Sequence, residues 1–243
     1  MSAPLRIDLR ESSGIDAKTR HAVEEVFSEA FQVEADAREC LAPYFCKVMG
    51  ILLAWRGERL VGFQFYQVVT DPEEGFPVHH FSLSAKRPGT EGGGLQKRFG
   101  RLVMRRHFLS TPPWHPVWLA GTTNNARSYA NMHAAGGTIF PDILAPQAPN
   151  PFGRRYRRIA AQLGMEPLDE RGLLPNRMQG LGFGLAASPE NRHPMGAAYS
   201  NYVGHDLRHG VFVLVKLTPW IDVPRHAVRS LLGGVWRIPR GGP

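Results

Sequence analysis

The sequence predicts a mixed α/β fold. Short segments of alternating apolar and polar residues recur along the chain, and amphipathic helical segments fall between them without the regular strand–helix alternation of a doubly wound parallel sheet. Their order is one strand, two helices, three strands, a helix, a strand, a helix and, after a long irregular stretch, a last strand. With 43% hydrophobic residues among 243, the chain can bury a substantial core.

Leu5, Ile7 and Leu9 alternate with polar residues and read as the first strand. Val23, Val26, Phe27, Ala30 and Phe31 then repeat at helical spacing, with Asp16 as the N-cap. A second helix is expected over 35–48, with Ala37, Cys40, Leu41, Tyr44 and Val48 on one face. ILLAW and LVGFQFYQVV, joined by the turn Arg56-Gly57-Glu58-Arg59, form a hairpin, and VHHFSLSA is the next strand. In the following helix Leu95, Phe99, Leu102 and Val103 line one face, and Lys97, Arg98, Arg101, Arg105 and Arg106 take the other. PVWLAG is a buried strand, and NNARSYANMHAAGG is a short helix closed by Gly136 and Gly137. Residues 142–209 are rich in Pro, Gly, Asn and Arg, with a helix expected over 152–163 and a short strand over Asn176–Gln179. HGVFVLVKLTP is the last strand, followed by a short helix and a basic tail.

A net charge of +8 favours an anionic partner, either a polyanion or a small phosphorylated molecule. The excess concentrates at residues 97–106 and at Arg154, Arg155, Arg157 and Arg158; the plain alternative for each cluster is a solvated helix face. No apolar run is long enough to span a bilayer, and MSAPLRIDLRESSG carries charges where a signal peptide needs its apolar stretch, so no membrane partner and a cytoplasmic location are expected. Cys40 and Cys46 lie six apart in one helix, on different faces, and no disulfide is expected. His205 and His209 have an H-x-x-x-H spacing but no third ligand that the sequence fixes, so no metal is expected. Neither a G-x-S-x-G elbow nor a Walker loop is present, which removes the usual support for hydrolase and nucleotidase readings.

The stretch EGGGLQKRFGR, residues 91–101, runs three glycines into a basic helix, a pattern suited to holding phosphate on backbone amides. Its place after a fourth strand, with an Asn-led helix after the fifth, resembles the GNAT superfamily of acyl-CoA-dependent N-acyltransferases over residues 5–140 and the strand near 210–217. The family's Gln/Arg-x-x-Gly-x-Gly/Ala loop falls on Glu91, Gly94 and Gln96, so two of three positions depart from it. The family's N-x-x-A-x-x-x-Y-x-x-x-G-F pattern places Asn125 on the asparagine, Ser128 on the alanine, Met132 on the tyrosine, Gly136 on the glycine and Gly137 on the phenylalanine.

The resemblance implies a GNAT-like α/β (α+β) fold: a central mixed, mostly antiparallel sheet with splayed fourth and fifth strands, flanked by helices. One domain over 1–243 follows, with core 5–140 plus 210–218, an elaboration at 142–209 and a tail at 224–243. It also implies acetyl-CoA or another acyl-CoA as co-substrate, held by Leu83, Ser84 and Ala85 on the fourth strand, by Gly92, Gly93, Gly94, Leu95 and Gln96, and by Asn125. An amine acceptor then attacks the thioester directly. With the family's acid tyrosine displaced, Tyr129 and His133 are the candidates to protonate a leaving thiolate. His80 is the candidate base, since it shares a face with Val78, Ser82 and Ser84, while His79 with Phe81, Leu83 and Ala85 reads as the core side.

The acceptor is expected to be a small molecule, with Arg154, Arg155, Tyr156, Arg157 and Arg158 placed to grip one that is anionic. The degraded motifs leave room for a longer acyl chain, a carrier-bound donor or transfer to oxygen. The rival classes are a non-enzymatic nucleic-acid binder and a catalytically inactive GNAT-like interaction domain, while nucleic acid is not the expected partner. Oligomeric state is not legible in the sequence.

Overall fold

The alternation at the N-terminus becomes β1 (Leu5–Glu11), which pairs antiparallel with β2 (Gly50–Arg56). The chain turns at Gly57, where φ is 61°, into β3 (Arg59–Thr70), and β3 pairs antiparallel with β4 (Pro77–Lys86). The structure is a computed structural model that describes residues 3–11, 14–31, 36–47, 50–90, 94–112, 114–175, 193–204 and 209–222. The expected strand over Asn176–Gln179, the helix after Pro224 and His205 lie outside the described residues.

β4 runs parallel to β5 (Val117–Thr123), the one parallel pair among the described residues, where every other pairing is antiparallel. β8 (Gly210–Leu217) follows β5 in the sheet and carries both β6 (Thr138–Phe140) and β7 (Leu173–Leu174). The strand order is therefore β1-β2-β3-β4-β5-β8-β6, with β7 beside β8. The expected mixed, mostly antiparallel sheet is present, with helices on both faces.

Helices α1 (Ala17–Phe31) and α2 (Ala37–Lys47) cover one face, where Val23, Val26, Phe27 and Leu41 are fully buried against Ile51, Leu53, Phe63 and Phe65. Asp16 caps α1 by accepting from Thr19 N at 2.7 Å and Thr19 Oγ1 at 3.0 Å. The opposite face holds α3 (Leu95–Ser110), whose Phe99 and Val103 pack on Leu52, Ala54 and Val61. Further along that face, α4 (Ala126–His133) and α6 (Gly196–Val203) pack on Val117, Leu119, Val211, Val213 and Val215. α5 (Arg154–Gln162) returns to the α1 side, where Tyr156, Ile159 and Ala160 cover Trp118, Ala120, Phe212 and Leu214.

Three elements exceed the sequence expectation: β6, β7 and α6. They hold the segment after Pro141 against β5 and β8, and buried tyrosines fasten it there. Tyr129 donates to Pro141 O at 2.8 Å, Tyr156 to Phe212 O at 2.5 Å and Tyr199 to Thr123 O at 2.9 Å.

One local irregularity changes which residues share a face. Gln64 opposes Ser84 while Tyr66 opposes Phe81, so β4 spends one residue more than β3 over this interval, a bulge. His79 and Phe81 consequently face α3, whereas Leu83 and Ala85 face α1 and α2. That extra residue corrects the expectation that all four share one side, and likewise the expectation that His80 shares a face with Ser84: Ser84 meets Gln96 of α3, whereas His80 lies with Val78 on the other face.

Candidate functional site

The β4–β5 ladder runs from Val78↔Trp118 to Phe81↔Gly121, but β4 continues to Lys86. Past Phe81 the two strands part. Gly121 marks the point: an added Cβ there would lie 3.4 Å from Phe81 O and 3.5 Å from Met132 Cε, ordinary contact distances, so β4, β5 and Met132 of α4 converge closely here. Leu83, Ser84 and Ala85 lie on the stretch of β4 beyond the ladder, where backbone N–H and C=O groups can receive an extended ligand in place of a strand.

The N-terminus of α3 stands beside this stretch. Gly94 is its N-cap at φ 97°, a left-handed conformation that favours glycine, and no side chain caps the helix. The first turn carries Lys97 and Arg98, both exposed, and no acidic residue, so the helix end presents positive potential. Glu91, Gly92 and Gly93 lie outside the described residues. Leu95 packs over Gly62, whose missing Cβ would sit 2.5 Å from Leu95 Cδ2 and 3.0 Å from Ala85 O; the glycine allows α3 to begin close to β3 and β4.

Gln96 links the two sides of the parting. Its Nε2 donates to Ser84 Oγ on β4 at 3.3 Å, and its Oε1 accepts from Asn131 Nδ2 on α4. A small residue in this place could make neither bond. Asn125 caps α4, its Oδ1 accepting from Ser128 N at 2.7 Å, which accounts for the asparagine by local structure.

The two acid candidates differ in freedom. Tyr129 is fully buried, its hydroxyl donates to Pro141 O, it accepts from Ile143 N at 3.1 Å, and burial raises its pKa. That hydroxyl proton is committed to a backbone carbonyl. His133 is half-buried at the end of α4, with its ring 6.2 Å from that of Tyr129.

Both histidines of β4 are buried, on opposite faces. His80 lies toward α5, adjacent to Val78, and its Nδ1 is 3.0 Å from Gln67 Nε2. His79 lies toward α3 in a relay not foreseen from the sequence: its Nδ1 is 2.6 Å from the Tyr66 hydroxyl and its Nε2 is 2.8 Å from His107 Nδ1. Burial, with His107 beside it, lowers the His79 pKa to about 4. His107 is lowered too, by burial and by His115, and burial pushes Tyr66 up to about 12. His107 continues the inward positions Phe99 and Val103 at steps of four, so helical spacing could have marked it as buried.

The arginines of α5 do not stand as a free group. Arg158 bonds both oxygens of the buried Asp71, at 2.8 and 3.0 Å, and pairs with Glu73 at 2.5 Å. Arg155 pairs with Asp71 at 3.1 Å and with Glu74. Tyr156 is buried against Phe212. Of the five residues expected to grip an acceptor, Arg154 and Arg157 alone are exposed. Asp71 was missed because nothing in the sequence sets it apart from the polar loop DPEEGFP that it opens.

Among the described residues no group of three His, Cys, Asp or Glu side chains could hold a metal, and no helix is long and apolar enough to cross a membrane.

No family model matches the chain, and no curated protein matches it in sequence. Solved structures similar to it include an acyl-CoA N-acyltransferase from Pseudomonas aeruginosa, at 16% identity over 58% of this chain and 92% of that one, with a TM-score of 0.41. A ribosomal-protein-alanine N-acetyltransferase from Brucella melitensis biovar Abortus matches at 14% identity over 44% and 74%, TM-score 0.37. An aminoglycoside acetyltransferase from an uncultured soil metagenomic sample, in complex with sisomicin, matches at 14% over 54% and 84%, TM-score 0.41.

Proposed function

From a GNAT-like fold in which the fourth and fifth strands part, we propose that the chain is an acyl-CoA-dependent N-acyltransferase acting on a small-molecule amine. The observation that carries this reading is the ladder that ends at Phe81↔Gly121 while β4 runs on to Lys86 beside an uncapped, acid-free helix N-terminus. The residues present fit the co-substrate: an open strand edge for an extended amide-bearing arm, and amide groups with Lys97 and Arg98 for a pyrophosphate.

The acyl-CoA supplies an activated thioester carbonyl. Backbone amides of β4 beyond Phe81, at Leu83, Ser84 and Ala85, align the arm and can donate to the carbonyl oxygen. Gly94 and Leu95 at the start of α3 are assigned to the pyrophosphate, together with Gly92 and Gly93 of the expected motif, while Gln96 bridges to β4 and α4 and Asn125 caps α4. His80 is the base, its ring oriented by Gln67 and placed one residue before the parting. His133 is the better acid candidate, because the Tyr129 hydroxyl already serves Pro141. Holding amine and thioester together supplies much of the acceleration, so few side chains need be exceptional.

Calorimetric titration with acetyl-CoA, free CoA and a short DNA duplex at two salt concentrations tests the reading. Saturable acetyl-CoA binding is expected. Gln96→Glu keeps the acceptor for Asn131 and adds a charge at the helix N-terminus, so it should weaken that binding by about tenfold, equivalent to about 1.4 kcal/mol. Heat with the duplex alone, falling steeply with salt, would replace this reading with nucleic-acid binding.

A further inference from the structure

At the other end of the parallel pair, a cavity of about 450 Å³ opens between the N-terminus of α5, the loop after β3 and the edge formed by β5, β8 and β6. Its wall includes Trp118, Thr138, Phe152, Arg154 and Lys216, together with Glu73 and Glu74. Trp118 lies three residues before Gly121, about 10 Å along the strand from the parting at about 3.3 Å per residue. The cavity is thus separate from the acyl-CoA slot.

Three independent features of this cavity call for an anion. First, the indole N–H of Trp118, a residue 1% exposed, is buried with no hydrogen-bond partner among the described residues. A buried donor of this kind ordinarily finds an acceptor. Second, α5 begins with Arg154 and Arg155 and has neither an acidic residue in its first turn nor a side-chain cap. Cations at a helix N-terminus add to the positive end of the dipole instead of offsetting it.

Third, the local charges do not cancel. Asp71, Glu73 and Glu74 are taken by Arg155 and Arg158, whereas Arg154 and Lys216 pair with no described carboxylate. Lys216 lies opposite both Trp118 and Thr138 in the β ladders, with its Nζ 5.6 Å from the centre of the Trp118 ring.

We propose that this cavity is a binding site for a small oxyanion, a phosphate or carboxylate group. The Arg154 guanidinium and the Lys216 ammonium carry the charge complementarity, the Thr138 hydroxyl adds a donor, and the Trp118 indole N–H is the donor at the wall. Glu73 and Glu74 hold Arg155 and Arg158 back and confine the positive potential to the Arg154–Lys216 side. This site does not depend on the acyl-transfer reading.

The test uses the full chain, titrated with sodium phosphate and with sodium citrate against sodium chloride at matched ionic strength, followed by calorimetry and by melting temperature. Phosphate or citrate should bind saturably and raise the melting temperature where chloride does not; the tighter of the two identifies the oxyanion class. Arg154→Gln with Lys216→Gln should weaken binding by tenfold or more, and Trp118→Phe by several-fold. Should Trp118→Phe fail to fold, the Arg154 and Lys216 changes, one at an exposed and one at a half-buried position, still decide the matter. Arg105→Gln with Arg106→Gln, on the outer face of α3, should leave binding unchanged. An oxyanion effect no greater than that of chloride, full binding by the Arg154/Lys216 variant, or equal loss in the α3 variant would each overturn the proposal.

Discussion

Replacing His79 by Gln should remove a large part of the chain's acid sensitivity. The ring is 5% exposed, held between the Tyr66 hydroxyl and His107, with Arg106 near the tyrosine and His115 near the second histidine. His107 and, beyond it, His115 can become cations and Arg106 is one, so protonating His79 is opposed both by burial and by its surroundings. The folded pKa is about 4 against an ordinary 6.5. Above pH 6.5 both folded and unfolded chains carry the neutral ring, and the group contributes no pH dependence. Between pH 6.5 and 4 the unfolded chain takes up a proton that the folded chain refuses, so unfolding free energy falls as pH falls. The slope is about 1.36 kcal/mol per pH unit, accumulating to about 3 kcal/mol by pH 4.

Urea denaturation at pH 7, 6, 5 and 4 measures this directly. The difference between wild type and His79→Gln should shrink by about 3 kcal/mol across that range, whatever the variant's stability at pH 7. His107→Gln should act in the same direction. Parallel stability curves for wild type and His79→Gln from pH 7 to 4 would refute the reasoning, because the ring would then be taking up its proton in the folded chain.

Tyr129→Phe leaves Pro141 O and Ile143 N without their buried partner and should cost about 1–3 kcal/mol by urea denaturation, with acetyl-CoA affinity unchanged by calorimetry. Asp71→Asn removes the carboxylate shared by Arg155 and Arg158 and should cost about 3 kcal/mol; a loss under about 0.5 kcal/mol would mean that Glu73 and Glu74 suffice. At Gly137, φ is 79° and a Cβ would run into the Lys216 carbonyl, so Gly137→Ala should destabilise by more than about 2 kcal/mol, seen as a fall in melting temperature.

Most of the sheet was legible because its strands announce themselves locally. Ile51, Leu53, Phe63 and Phe65 alternate, and Gly57 terminates the hairpin where a left-handed residue is needed. β6, β7 and α6 were not legible because none carries its own signal. Three residues after a glycine pair, two leucines, and a short helix rich in small residues acquire structure from β8 and from the α4 side of the sheet. The bulge in β4 was equally hidden: strict alternation gave the right side for His79 and Phe81 relative to each other and the wrong one relative to Leu83 and Ala85. The departure at Gly137 has a physical reason that a sequence motif cannot express, since the chain there presses on β8. At the site, the strand parting was implied by the family resemblance and Gly94 stood out by glycine placement, whereas the commitment of Arg155, Arg158 and Tyr129 to interior partners depends on contacts from distant segments.

The buried tyrosines that fasten the segment after Pro141 also give the protein an optical property. The chain has six tyrosines, and burial keeps Tyr66, Tyr129, Tyr156 and Tyr202 protonated well into the alkaline range. Near pH 11 the folded chain therefore withholds most of the ultraviolet absorbance of tyrosinate, and releases it when Tyr129, Tyr156 and Tyr202 leave the sheet. Absorbance at alkaline pH reports on the docking of this segment without a label or a known substrate.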